Sequence, residues 1–167
     1  GYVPNVAARQ LQKQRTDTIG FIVPTFGPRF ADPFFSEFLA GVGNSAAQQG
    51  FDLLVSTRAP GAQEEEAYRR FTQSQRVDGL IIVRTRLDDW RIRYLHSIDF
   101  PFVSFGRTED QFDFSYVDTD GHAGMRAVMD HLVRMGHTRI GFVAAPLDLY
   151  LTRARLTGYQ EGLAAHN

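Results

Sequence analysis

Asp118 and Asp120 are the residues of this chain best placed to do chemistry. They follow the short strand-like pair Tyr116–Val117, so they fall at a strand end. A carboxylate there accepts hydrogen bonds from a ligand's hydroxyl or amino groups. Asp120 also stands where the N-cap of a following helix belongs, and the spacing leaves both uses open. Other candidates fail on spacing. The five histidines, at 96, 122, 131, 137 and 166, lack metal-ligand intervals; His131 reads as a helix-face residue and His137 as part of a helix exit. Glu64, Glu65 and Glu66 read as structural, three negative charges in the first turn of a helix opposing its positive dipole end. Gly41-Val-Gly-Asn-Ser-Ala46 matches a GxGxxA fingerprint in letters, but it falls late in a helix, whereas phosphate binding needs glycines at the strand-to-helix turn. Small residues for close packing are the better account. With no cysteine, no GxxxxGK[ST], no HExxH and no paired acid and base, the chain reads as a binder and not an enzyme, with no cofactor and no metal.

The elements that must position these residues alternate. Thr18 to Pro24 is a short apolar run ending in a breaker, which suits a strand buried on both faces. Asp32 as N-cap and Pro33 at N1 open a helix carrying Phe35, Phe38, Leu39, Val42 and Ala46 at helical spacing until Gly50. The unit recurs as Phe51–Ser56 with a helix over Glu64–Arg76, then Gly79–Val83 with a helix from about 88 to 97. Pro101–Phe105 is a further strand. The helix beyond Val117 places Gly124, Ala127, Val128, His131, Leu132 and Met135 on one face and closes at Gly136. Arg139–Ala144 and Thr152–Ala165 read as a last strand and helix.

Such alternation predicts a parallel sheet with helices on both sides, which binds ligands beyond the carboxyl ends of its strands. Residues just after the strands are therefore the ones to inspect, including Arg84, Arg107, Asp118, Asp120 and Arg155. Phe35 and Phe38 read as core, and Phe34 as either core or ligand contact.

At 167 residues and 43% apolar, the chain can bury one ordinary core. Its net charge of -1 is unevenly spread. Residues 1–15 carry Arg9, Lys13 and Arg15 with no acid, which leaves 15 of the 18 basic residues against 19 acidic ones, or -4, from 16 onward. Only the N-terminal arm suits a polyanion. No secretory signal pattern opens the chain and no apolar run is long enough to span a membrane, so the expectation is a soluble, cytoplasmic protein without a membrane partner. By composition alone the arm is either a frayed terminus or a short helix too weak to persist unaided.

Read together, GYVPNVAARQL, TDTIGFIVP, DPFF, VDGLII, FPFVSFGR, VDTDG, HLVRMGHTRIGFV and RARLTGYQEGL resemble, in order and spacing, the LacI/GalR (lactose-repressor) family. The resemblance implies a periplasmic-binding-protein-like (type I) fold: a doubly wound α/β sheet in three αβα layers, with the second lobe truncated. It implies a hinge segment over 1–15, an N-terminal effector-binding lobe over 16–136, and the first βα unit of an incomplete C-terminal lobe over 137–167. Leu11 matches the family's minor-groove wedge. Asn5, Val6 and Ala8 match neighbouring groove and backbone contacts, with Tyr2 and Pro4 positioning the segment. An apolar wedge can unstack a base step for a few kcal/mol while basic residues neutralise phosphates.

In the sensing core the resemblance places Phe34 and Phe35 beside the effector, gives Asp120 the effector hydroxyls, and gives Arg155 a grip on the ligand. Arg84 and Arg107 are added by strand-end position. The function implied is that of an effector-responsive transcriptional regulator, usually a repressor. It would act as a homodimer on operator DNA, with a helix-turn-helix headpiece upstream and a sugar or related metabolite as effector. A solute-binding protein of the same fold and a Rossmann-like enzyme are the competing readings. A lone βα unit at the end would leave apolar strand edges at Ile140–Val143, which implies disorder or exchange with another chain.

Overall fold

A computed structural model describes residues 15–25, 33–110 and 112–166. Tyr2, Pro4, Asn5, Val6, Ala8 and Leu11 of the hinge, and Asp32 of the expected N-cap, lie outside the described residues. Five strands form one sheet: β1 (Thr18–Pro24), β2 (Asp52–Arg58), β3 (Gly79–Val83), β4 (Phe102–Phe105) and β5 (Tyr116–Val117), in the order β2-β1-β3-β4-β5. β1 pairs in parallel with β2, Thr18 opposite Asp52, and with β3, Ile19 opposite Gly79. β4 pairs in parallel with β5, Ser104 opposite Tyr116. The order is the flavodoxin-like one, with its reversal at β1 and β3. The expected doubly wound parallel sheet is found, flanked by helices α1 (Pro33–Gln48), α2 (Ala62–Gln73), α3 (Trp90–Ser97), α4 (Gly121–Arg134) and α5 (Tyr150–Ala165).

The chain divides into two compact units, one of residues 1–82 and 91–103, the other of 83–90 and 104–167. In the first, Phe21, Ile22 and Val23 of β1 are wholly buried, as a strand covered on both faces requires. β2 is one edge of the sheet, and there no residue is buried and Asp52, Val55 and Thr57 stay exposed. Gly20 is forced by packing, since a Cβ there would lie 2.6 Å from Leu80 Cδ2. α2 buries Glu64, Ala67, Tyr68 and Phe71, the i, i+3, i+4, i+7 stripe of an amphipathic helix. Glu64 keeps its place in the first turn of the helix and is buried there. It opens the buried stripe, and its Oε1 accepts from Arg91 Nη1 at 3.3 Å with neither side chain exposed. Gly41 and Gly43 depart from expectation, because a Cβ at either would meet nothing within 4 Å among the described residues.

In the second unit α4 and α5 pack through glycines. A Cβ on Gly158 would come 2.5 Å from His122 O, and one on Gly162 would come 2.5 Å from Met129 Cβ. This contact selects the face of α4. Met129 is its buried residue, while Val128 and Met135 of the expected apolar face are exposed. Residues 139–144 do not form the expected strand. A strand needs a neighbouring backbone edge, and among the described residues none pairs with it. Instead Tyr159 Oη donates to Ile140 O at 2.8 Å, the Phe142 and Tyr159 rings stack at 5.3 Å, and Val143 is 97% exposed. Gly136, with φ +86, ends α4, and His137 N reaches back to Leu132 O at 3.1 Å, the helix exit read from the sequence.

Candidate functional site

The second unit gathers several strand and helix ends. Gly106, at φ +112, turns the chain out of β4 against Thr85, where a side chain on the glycine would clash with the Thr85 hydroxyl. The turn delivers Arg107. Asp118 leaves β5, Asp120 caps α4, and Tyr150 opens α5 with its N–H on Thr85 O at 3.0 Å. An antiparallel bridge between Arg86 and Leu149, with Leu87 N donating to Asp148 O at 2.8 Å, holds the start of α5 in place.

These ends enclose a cavity of about 260 Å³, whose lining includes Arg107, Asp118, Asp120, Tyr150 and Arg155. Inside it Arg107 Nε donates to Asp118 Oδ2 at 3.0 Å, while the guanidinium lies over the Tyr116 and Tyr150 rings at 5.7 and 5.5 Å. The hydrogen bond to Asp118 pushes the Arg107 pKa above its already high ordinary value. Asp118 Oδ1 accepts from Thr119 N at 2.8 Å. Asp120 Oδ1 accepts from Ala123 N at 2.8 Å, so its capping use is realised. Gly121 lets the Arg155 stem lie against the start of α4, since a Cβ there would be 3.3 Å from Arg155 Cγ. Carboxylate acceptors and guanidinium donors thus face one volume, an arrangement that reads hydroxyl groups, each of which both donates and accepts.

Of the residues singled out in the sequence, Arg107, Asp118, Asp120 and Arg155 line this cavity together. Arg84 belongs to the same unit, at φ 52, and is not part of the lining. Phe34 and Phe35 belong to the first unit: Phe35 is buried, Phe34 is 42% exposed, and Phe34 stacks on the half-buried Phe38 at 5.5 Å. Tyr116 and Tyr150 were missed. A tyrosine beside a strand end and another before a helix carry no signal until folding brings both rings to Arg107. A larger groove, about 630 Å³, runs along α2, but its charges pair along the helix, Arg69 Nη2 with Glu65 Oε1 at 2.7 Å, and it converges on nothing. Among the described residues there is no group of three or more potential metal ligands, and no helix is long and apolar enough to cross a membrane.

Comparison with known proteins gives a consistent result. The family described as periplasmic binding proteins and sugar binding domain of LacI family matches residues 16–167. The HTH-type transcriptional regulator CelR of Thermobifida fusca is 36% identical over 99% of this chain and 49% of its own length. RafR of Escherichia coli, also an HTH-type transcriptional regulator, is 32% identical over 99% of the chain and 49% of its own. Among solved structures, a CelR–cellobiose complex superposes with a TM-score of 0.81 at 30% identity, over 95% of this chain and 51% of that one. A LacI-family regulatory protein from Chloroflexus aggregans gives 0.80 at 30% identity, over 90% and 53%. The chain spans about half the length of the curated relatives it matches.

Proposed function

The chain belongs to the family of periplasmic binding proteins and LacI-type sugar-binding domains, and we propose that it is the effector-sensing part of a sugar-responsive transcriptional regulator. The observation that carries this reading is the cavity of the second unit, where Arg107, Asp118, Asp120 and Arg155 present donors and acceptors to one volume. Relatives support it: those matched are named transcriptional regulators, and one is solved with cellobiose. The protein acts by binding and not by catalysis. Asp120, Arg155 and Arg107 hold a carbohydrate effector, while an effector role has the family resemblance as its support for Phe34 and Phe35, and a place just after β3 for Arg84. Residues 1–15 form the hinge, in which Leu11 wedges into the minor groove while Tyr2, Pro4, Asn5, Val6 and Ala8 support it, in a cytoplasmic homodimer on operator DNA. The regions are a hinge to 15, an effector-binding lobe to 136, and the start of a second lobe to 167. Effector binding controls DNA binding to the extent that the ligand prefers one of two states of the protein.

Thermal unfolding of the intact protein against a panel of mono- and disaccharides tests the reading. A cognate sugar at 100 times its dissociation constant raises stability by about 2.7 kcal/mol, and no response to any sugar counts against a carbohydrate effector. A solute-binding protein without DNA binding is the second reading, since the matching family includes periplasmic binding proteins. The upstream coding sequence separates the two: a helix-turn-helix supports the regulator, and a secretory signal supports the solute binder.

A further inference from the structure

We propose that Asp78 is a positioning residue whose carboxylate fastens the exit of the N-terminal arm to the sheet. Residues 15–17 and β1 then move as one piece, and the direction in which the arm leaves for DNA is fixed. The inference rests on the reading of residues 1–15 as the DNA-contacting hinge. A chain leaving a strand end swivels unless something ties it down, because the first residues outside the ladder lose their hydrogen-bond partners. Here a side chain from far along the sequence, in the same compact unit, supplies them.

Asp78 Oδ1 accepts from Thr16 N at 2.7 Å and from Thr16 Oγ1 at 2.8 Å, and its Oδ2 accepts from Asp17 N at 2.8 Å. One carboxylate thus holds two successive backbone N–H groups. Its side chain is only 22% exposed, which shelters these bonds from water. Backbone completes the hold from both sides: Asp52 N donates to Asp17 O at 2.8 Å, and Asp78 N donates to Thr18 O at 2.8 Å. Thr18 Oγ1 turns back onto Thr16 O at 3.1 Å. Arg15 lies over the Phe51 ring at 5.6 Å, with its Nε 3.9 Å from Asp17 Oδ1 and 4.0 Å from Asp78 Oδ2. The strain sits at the bend. Asp17 has φ 49, a left-handed conformation that residues with a side chain rarely adopt and keep only where their surroundings over-determine it. A loose connection would relax to negative φ. Arg15, Thr16 and Asp17 add no apolar side chain to the core, so the network acts on the direction of the chain and not on packing.

Hydrogen exchange of the intact protein, read residue by residue by mass spectrometry, tests the hold. Binding to a duplex that the natural protein selects from a random-sequence pool tests its use. In Asp78→Ala the Thr16 and Asp17 amides are expected to exchange at least about tenfold faster while Phe21 and Ile22 of β1 keep their protection, and affinity for the duplex is expected to fall at least about tenfold. Asp78→Asn gives a sharper reading, and serves alone should Asp78→Ala unfold. Its amide oxygen keeps both Thr16 bonds, but its NH₂ group is a donor and cannot accept from Asp17 N, so only the Asp17 amide is released, with a smaller loss of affinity. A uniform rise in exchange along β1 means that Asp78 supports the fold as a whole, and overturns the proposal. Unchanged exchange at Asp17 in a folded variant, or faster exchange there with duplex affinity unchanged, overturns it too. If the natural protein selects no duplex, the regulator reading falls, and exchange alone decides whether Asp78 fixes the arm.

Discussion

Glu64 and Arg91 show how one residue's meaning depends on where folding puts it. In the sequence Glu64 is one of three acids at a helix start; in the structure it is a buried charge against a buried guanidinium. Glu64→Leu leaves the Arg91 charge in the core without that carboxylate, which costs about 3–5 kcal/mol, whereas Glu64→Leu with Arg91→Met recovers most of it. Urea denaturation of the single and double variants measures both, and a single-variant loss below about 1 kcal/mol would contradict the pairing. Asp78 sets a pH dependence at the same scale. Burial pushes its carboxyl upward, but hydrogen bonds from Thr16 N, Thr16 Oγ1 and Asp17 N, with the Arg15 guanidinium nearby, outweigh this and hold it below the usual carboxylate value. A lowered native pKa stabilises the fold fully above the unfolded value of about 3.9, and that contribution is lost as pH falls through the native value. Stability followed from neutral to acid pH should therefore fall more steeply below about pH 4 in the natural protein than in Asp78→Asn.

Among the elements, α4 and α5 give the sharpest test. Their approach leaves no room at Gly158, where a Cβ would meet His122 O at 2.5 Å, while the space around Gly124 is open. A backbone carbonyl cannot move aside as a flexible side chain can. Gly158→Val should thus cost on the order of 1–3 kcal/mol, and Gly124→Ala should stabilise by about 0.5–1 kcal/mol through helix propensity. Chemical denaturation of the two variants compares them directly, and equal effects would mean that the helices do not meet at Gly158. The same contact explains why the face of α4 was misread. Periodicity places Val128 and Met135 on an apolar stripe, but the glycines of α5 decide which stripe is covered. The β1, β2 and β3 runs were legible because each is short and rich in apolar residues. Residues 139–144 are similarly apolar, but among the described residues no strand pairs with them.

For the whole molecule, the test is whether the hinge and the sensor belong to one device. Leu11→Ala in the intact protein should weaken specific operator binding while leaving effector affinity unchanged, because an apolar wedge acts on the base stack and not on the ligand. Gel-shift and sugar-binding measurements on one preparation check the two halves, and unchanged operator affinity would remove Leu11 from the DNA interface.

Alternation of strands and helices, the positions of strand ends, and the acids and arginines that follow them could all be determined from the order of residues alone, because backbone preference and hydrophobic period are local properties. Three things were decided only when distant segments met: the burial of Glu64 on Arg91, the covered side of α4, and the clamp of Asp118, Tyr116 and Tyr150 around Arg107. Each depends on which surfaces come into contact across many residues of chain, and no local periodicity encodes that choice.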